Sequence, residues 1–224
     1  QTEGLSSVNT SAVYFTPLDQ KTADAFRAKY AGSQKDRKQD AKPKSKKQKK
    51  EAPELAKDQA AFFNEKIELL VAEITKVENN PEGEKLYIEH LDDGSGKERI
   101  IQSGLREYLK PEELLGKHII LAANLAPRTM RGVESHGMLL AADYTDENGK
   151  ACVEPLEAPW AAPGTKVILE GASEASVKPE QITADDFFKV QINVVEGSVQ
   201  IAGKKLTATG RFLETVHTKN GGVN

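Results

Sequence analysis

The sequence has few of the residues that build disulfides, metal sites or membrane spans. Its one cysteine, Cys152, cannot form an internal disulfide, and without a CxxC motif or clustered histidines it cannot supply a structural zinc site. No stretch approaches the roughly 18 to 20 apolar residues that a membrane helix needs. The first ten residues also lack the features of a signal peptide. We therefore expect a cytoplasmic protein with no metal, no cofactor and no membrane partner.

Recognisable catalytic motifs are missing as well. The stretch "GVESHGM" has the spacing G-x-x-S-x-G, whereas a nucleophile elbow requires G-x-S-x-G. The stretch "GSGKE" has no glycine five residues before its Gly-Lys pair, and Glu98 stands where a phosphate loop has Ser or Thr. The four histidines have no metal-ligand spacing. The sequence predicts no catalytic site in this chain.

Positive charge is concentrated in one segment. Residues 35–50 contain nine Lys or Arg against two Asp and no apolar side chain larger than Ala. Such a composition cannot bury enough surface to offset the entropy of ordering, so residues 33–52 are predicted to be a disordered basic linker. One interpretation is an arm that attracts RNA phosphates, and the other is a solubilising spacer. The lysines assigned to RNA binding on the first interpretation are Lys42, Lys44, Lys46, Lys47, Lys49 and Lys50.

Two helices are predicted on either side of this linker. Apolar residues near helical spacing over 18–31, followed by Gly32, indicate a helix with a narrow apolar stripe. Such a helix needs a partner surface, so residues 1–32 read as the edge of another, helical domain. A second helix is predicted over 53–64.

The body of the chain is predicted to be mainly β. Strands are expected over 66–78, 85–93, 97–105, 118–125 and 138–144, with a short helix over 110–116 before the fourth. This order is that of the five-stranded Greek-key barrel called the OB-fold. We place the barrel, with its leading helix, in residues 53–171.

The stretch "NLAPRTMRGVESHGMLLAA" lies between the last two predicted strands. It carries Arg128 and Arg131 on a turn between two short apolar runs. In an OB-fold, this connection commonly contacts nucleic acid.

Residues 172–224 are predicted to form an accessory β-rich subdomain. A paired-strand pattern surrounds Glu196 and Gly197. We expect this tail to cover one side of the barrel and to bury Phe187 or Phe188.

Several blocks carry a family resemblance over about residues 66–171. The blocks "NPEGEKLYIEHLDDG", "IIQSGLREYLKPEELLGKHIILAANLAPRTMRGVESHGMLLAA" and "PWAAPGTKVILEG" resemble the tRNA-binding domain at the C-terminus of many methionyl-tRNA synthetases. Similar domains occur in tRNA-binding cofactors of the endothelial monocyte-activating polypeptide type. The stretch "VYFTPLDQKTADAFRAKYAG" resembles the segment after the anticodon-binding helices, and "ITADDFFKVQINVVEGSVQIAGKKL" resembles a subdomain that follows the barrel.

This resemblance implies a non-catalytic tRNA-binding module, with tRNA and other synthetase domains or subunits as partners. It also implies a monomer, because in the family the extra subdomain packs on the barrel as a second copy does in dimeric relatives. The RNA-binding residues that it implies within the barrel are Lys85, Tyr87, Ser103, Asn124, Arg128, Met130, Arg131, Ser135 and Met138.

The sequence departs from the family pattern at three positions. Ala126 stands where Lys is usual, Glu84 where Asp is usual and His136 where Gln is usual. Residues 66–171 also contain 12 Lys or Arg against 19 Asp or Glu, so RNA binding requires a local basic patch.

Structural roles are open for the same residues. Asn124 can bond its own turn, the serines can satisfy backbone groups, and Tyr87 and the two methionines can be core residues. A protein-interaction module of a synthetase complex and a secreted cytokine-like factor are the alternative functions. The absence of an export signal argues against the second of these.

Overall fold

The structure is a computed structural model that describes residues 54–174 and 178–224. The predicted helix over 18–31, the Lys-rich linker and its six assigned lysines lie outside these residues. The described part contains the helices α1 (Gln59–Lys66), α2 (Pro111–Leu114) and α3 (Ala184–Phe187) and a 3₁₀ turn at Leu105–Glu107. Its strands are β1 (Leu69–Asn79), β2 (Tyr87–Asp92), β3 (Glu98–Ser103), β4 (His118–Ala122), β5 (Arg128–Met130), β6 (Val133–Ser135), β7 (Met138–Leu139), β8 (Ala141–Thr145), β9 (Ala151–Pro155), β10 (Lys166–Leu169), β11 (Ile192–Val195), β12 (Ser198–Ile201), β13 (Lys204–Ala208), β14 (Arg211–Phe212) and β15 (Asn220–Gly222).

Local residues determine where the first two helices begin. The Asp58 carboxylate accepts the backbone N–H of Ala61 at 2.9 Å and caps the start of α1. Pro111 opens α2, where a missing N–H costs nothing. Glu113 accepts the Lys110 N–H at 2.7 Å and completes this turn. The two helices therefore form where the sequence predicts them, although α1 begins several residues later.

The long strand β1 organises the barrel. It pairs antiparallel with β2, β4 and β10, while β2 pairs with β3 and β4 pairs with β7. A register shift between Ile74 and Lys76 bends β1, which lets one strand serve two parts of the sheet. The prediction of a mainly β, OB-like fold is thereby confirmed.

The barrel is not closed by a continuous backbone ladder. Between β3 and the β6–β7 region, the His136 N–H donates to the Ile100 carbonyl at 2.9 Å. The Gln102 N–H donates to the Ser135 hydroxyl at 3.0 Å. These isolated bonds hold the open side of the barrel, where the candidate site lies.

The predicted fifth strand is divided in two by Leu140. The Leu140 N–H donates to the Ile120 carbonyl, and the Leu140 carbonyl accepts from Leu156. The chain therefore changes its pairing partner at this residue. Strand β7 pairs with β4, whereas β8 pairs with β9, a strand that the sequence did not predict. The stretch that leads into β7 is not a plain turn but a hairpin of its own, β5–β6.

Two apolar clusters form the interior. One fills the barrel, and the other continues from β1 and β4 into the tail, where Phe187 is 2% exposed and Phe188 is 38% exposed. Burial of each large apolar side chain contributes about 1.5 to 3 kcal/mol. The prediction that the tail buries Phe187 or Phe188 is confirmed for Phe187.

The tail is a β meander that joins the barrel sheet. Strands β11, β12 and β13 pair in sequence, and β13 also pairs with β10. The predicted hairpin at Glu196 and Gly197 is confirmed, with φ of 51° and 80° at these two residues.

Candidate nucleic-acid interface

The β5–β6 hairpin has the tightest connection that two strands can have. Met130 pairs with Val133, so Arg131 and Gly132 alone form the turn. Their φ angles of 45° and 78° are both positive, as a type I′ turn requires. Gly adopts this conformation freely, whereas Arg131 does so against its intrinsic preference. The Arg131 side chain on this turn is exposed.

A buried amide clamp holds this hairpin. The Gln102 side-chain amide donates to the carbonyls of Met130 and Val133, each at 2.8 Å, on the two sides of the turn. The Asn80 amide donates to the Gln102 side-chain carbonyl at 2.7 Å. Gln102 and Asn80 are 5% and 1% exposed. Because both ends of the turn bond to one side chain, the hairpin is fixed to β3.

Sequence reasoning missed Gln102 and Asn80 as contributors to the site. A signal for Gln102 exists in "IIQSGL", where an amide follows two apolar residues on a strand. Asn80 precedes Pro81, which indicates only a turn. Neither signal identifies the hairpin, some 30 to 50 residues downstream, as the partner.

A groove of about 420 Å³ lies between this hairpin and the 3₁₀ turn. It brings together five of the predicted RNA-binding residues. These are Ser103, Arg128, Met130, Ser135 and Met138. The groove is also lined by Tyr108, which is 44% exposed and was not predicted.

The three predicted cations of the barrel differ in whether they have an ion-pair partner. Arg128 and Arg131 are exposed, and neither guanidinium has an ion-pair partner among residues 54–174 and 178–224. Lys85 is exposed too, but its Nζ lies 2.8 Å from a Glu107 carboxylate oxygen. The two arginines are therefore the hairpin's unpaired positive charges within the described structure, and Arg128 is the one that lines the groove.

Tyr87 and Asn124 lie in the interior rather than on the predicted surface. Tyr87 is 3% exposed and donates its hydroxyl to the Leu109 carbonyl at 3.0 Å, and burial raises the pKa of this phenol. The Asn124 amide donates to the carbonyls of Lys66 and Glu180, and its oxygen accepts the Glu68 N–H. Both side chains are committed to the protein, so we leave them out of the interface.

Ser135 is also a structural residue, although it lines the groove. It is 3% exposed, and its hydroxyl accepts from the Gln102 N–H and donates to the Gly137 carbonyl at 3.1 Å. Both of these bonds hold the open side of the barrel. Of the two predicted serines, Ser103 is the more accessible one.

Ser103 is bonded to a buried acid. Its hydroxyl donates to Glu89 Oε1 at 2.5 Å. Glu89 has no exposed surface, and burial raises the pKa of its carboxyl to about 7, against the lowering effect of the Ser103 bond. Its second oxygen, Oε2, has no hydrogen-bond partner within the described structure.

The described ranges contain no group of three His, Cys, Asp or Glu side chains that could hold a metal ion. They also contain no helix that is long and apolar enough to cross a membrane.

An OB-like barrel whose open side carries a groove and free arginines defines a class of nucleic-acid-binding domain. Residues 69–164 match the family described as putative tRNA binding domain. The resemblance inferred from the sequence is thereby confirmed.

The relatives extend the similarity to nearly the whole chain. It is 46% identical over 240 residues to methionine–tRNA ligase of Treponema denticola and 38% identical over 242 residues to that of Treponema pallidum. These matches cover 98% and 99% of this chain, which spans about 30% of the length of either relative. The C-terminal domain of Plasmodium vivax p43 has a TM-score of 0.65 and 24% identity, and covers 72% of this chain and 98% of its own. That similarity supports the fold alone.

Proposed function

We propose that this chain is the non-catalytic, C-terminal tRNA-binding part of a cytoplasmic methionine–tRNA ligase. Its role is to raise the affinity of the attached catalytic part for tRNA. Its match to a tRNA-binding family and its span of about 30% of the ligases support this assignment.

The main support for a phosphate-binding role is that two exposed arginines lie on a hairpin whose backbone is held in place. Arg128 and Arg131 project from a backbone held by Gln102, so they are positioned before any ligand arrives. Guanidinium groups match phosphate oxygens in geometry as well as in charge. Because acidic residues outnumber basic ones across the barrel, any attraction that the barrel itself exerts on RNA has to come from a local patch such as this one.

The groove itself suits an unpaired nucleotide. Met130, Met138 and Tyr108 give it apolar walls, and Tyr108 is exposed enough to stack on a base. Stacking of a base on an aromatic side chain contributes roughly 1 to 3 kcal/mol. In this assignment Tyr108 takes the stacking role that the sequence suggested for Tyr87.

The lysines complete the proposal. Lys85 can exchange its Glu107 partner for a phosphate, since an exposed ion pair contributes only about 0 to 1 kcal/mol. The lysines between residues 42 and 50 would add salt-sensitive attraction without shape selectivity.

A monomer fits this arrangement. The tail shares its core with the barrel and covers the edge of β10 through β13. Light scattering at micromolar concentration should give the mass of one chain, and a dimer mass would contradict this part of the proposal.

The test of RNA binding is a salt titration. The Arg128→Ala/Arg131→Ala double variant should bind tRNA more weakly than the wild type. Two lost phosphate contacts should lower the slope of log affinity against log salt by roughly 0.7 to 0.9 per contact.

A matched control is the Lys150→Ala/Lys204→Ala double variant, which removes the same charge from exposed positions that do not line the groove. Filter binding at three salt concentrations should show its affinity and slope close to those of the wild type. Equal slopes in all three proteins would remove the hairpin from the interface.

A further inference from the structure

Glu89 is an unusual residue for the interior of a β barrel. It lies on β2 between Tyr87 and Leu91, which share its inward-facing side and are core residues. Opposite it in the ladder are Val77 on β1 and Ile101 on β3, neither of which can pair with a charge. A carboxylate in such surroundings costs several kcal/mol unless it is bonded or protonated.

Its bonding is asymmetric. One oxygen, Oε1, accepts the Ser103 hydroxyl, whereas Oε2 has no partner among the described residues. Ser103 is half-buried and lines the groove, so Glu89 reaches the proposed RNA interface through this one hydroxyl.

The bond fixes which hydrogen-bonding group Ser103 offers to a ligand. A serine hydroxyl has one proton and two lone pairs. While the proton points to an ionised Glu89, only lone pairs remain for the groove. Such a surface accepts hydrogen bonds and repels phosphate oxygens.

Protonation of Glu89 reverses this arrangement. A proton on Oε2 would have no acceptor in the described structure, whereas a proton on Oε1 can be donated to the Ser103 oxygen. An unsatisfied buried donor is costly, so the proton belongs on Oε1. Ser103 is then free to donate its own proton into the groove.

We propose that Glu89 is a positioning residue whose protonation state determines whether Ser103 presents an acceptor or a donor to RNA in the groove. The donor state favours a phosphate oxygen of the ligand. This inference rests on the proposed function, because it assumes that the groove binds RNA.

The carboxyl titrates in the range where such control would operate. Burial brings the pKa of Glu89 to about 7, and the Ser103 bond opposes this effect. The pKa of the neighbouring Tyr87 phenol is affected by Glu89 and by three other charged groups, Arg106 on the 3₁₀ turn and Glu112 and Glu113 on α2. None of these three is among the causes of the Glu89 shift.

The test is the pH dependence of tRNA binding between pH 5.5 and 8.5 at constant ionic strength. The wild type should bind about tenfold more tightly at the acidic end, because Ser103 then donates to a phosphate. Glu89→Gln cannot titrate, and Ser103→Ala has no hydroxyl to reorient. Both variants should therefore lose the same part of the pH dependence and retain whatever the histidines contribute.

Carbon-13 NMR of the carboxyl groups follows the titration of Glu89 directly, without relying on tRNA binding. A Glu89 resonance that titrates near pH 7 and moves to higher pH in Ser103→Ala supports the proposal, whereas titration below pH 5 overturns it. A wild type that binds tRNA with the same pH profile as both variants also overturns it. Failure to bind tRNA at any pH would instead contradict the proposed function.

Discussion

The described structure contains two kinds of polar residue that behave in opposite ways. Gln102 and Asn124 are buried, and their side chains are bonded to the backbone of distant segments. Arg128 and Arg131 are exposed and have no ion-pair partner in the described part of the chain. The buried residues stabilise the fold, and the exposed residues are available to bind a ligand.

This difference separates stability from affinity. Truncating a buried, bonded side chain leaves backbone groups without partners and lowers the free energy of unfolding. Truncating an exposed side chain usually changes that free energy by about 0.5 kcal/mol or less. A variant of a buried residue should therefore lose stability, and a variant of an exposed residue should lose affinity.

The largest expected effect is that of Asn124→Ala. It leaves the Glu68 N–H and the carbonyls of Lys66 and Glu180 without the partner that joins them. We expect a loss of about 4 kcal/mol in the free energy of unfolding, since each buried unsatisfied group costs about 1 to 3 kcal/mol. Urea denaturation measures this. The exposed Asn148→Ala is the control, and a loss below about 1 kcal/mol would place Asn124 among the dispensable residues.

The next effect depends on pH and concerns Glu89. Its folded pKa of about 7 lies above the ordinary value of 4.5, so the folded chain keeps a proton that the unfolded chain has released. Stability is therefore lost as pH rises from about 4.5 to about 7, by about 3 kcal/mol at 1.36 kcal/mol per unit. Glu89→Gln should lack this loss. Urea denaturation at pH 5 and pH 8 compares the two proteins, and parallel losses would show that Glu89 ionises freely in the fold.

Gln102→Ala tests the clamp on the hairpin and should cost about 2 kcal/mol. Here stability and affinity should fall together, because the arginines lose their fixed backbone. Amide hydrogen exchange should become faster in β5 and β6 in particular. Thr129→Ala, at an exposed position of the same hairpin, serves as the control. Unchanged exchange in the hairpin would show that the amide clamp is not needed to order it.

The smallest effect on stability is expected for Arg131→Asn, and its sign is opposite. Asn adopts the left-handed conformation at less cost than Arg, so the turn should gain about 0.5 kcal/mol. The affinity for tRNA should nevertheless fall, with a salt slope lower by roughly 0.7 to 0.9. Thermal unfolding and filter binding report the two quantities separately. A variant that is more stable and binds equally well would remove Arg131 from the interface.

The sequence predicts the parts of this molecule that depend on local pattern. The stretch "GSG" between two strand-like runs locates β2 and β3, Pro111 and the residues around it locate α2, and the Glu-Gly pair at 196 and 197 locates a hairpin. The order of these elements predicts the OB-fold, and the family resemblance adds tRNA as the ligand.

What the sequence does not show is which side of a strand faces the core when both sides carry large residues. Tyr87 is an example, since an aromatic residue on a strand can stack on a base or fill a barrel. Only the packing of β2 against α2 and the 3₁₀ turn shows that Tyr87 is a core residue. Gln102 is the converse case. Its partners at Met130 and Val133 are 28 and 31 residues away, so no local pattern links them.

The pairing of β10 with both β1 and β13 has a consequence for where the chain can be cut. If the chain ended at residue 171, the edge of β10 that now bonds to β13 would present unpaired N–H and carbonyl groups. An open strand edge of this kind is a template for adding a strand from another molecule. The tail therefore also acts as a cap against edge-to-edge aggregation of the barrel.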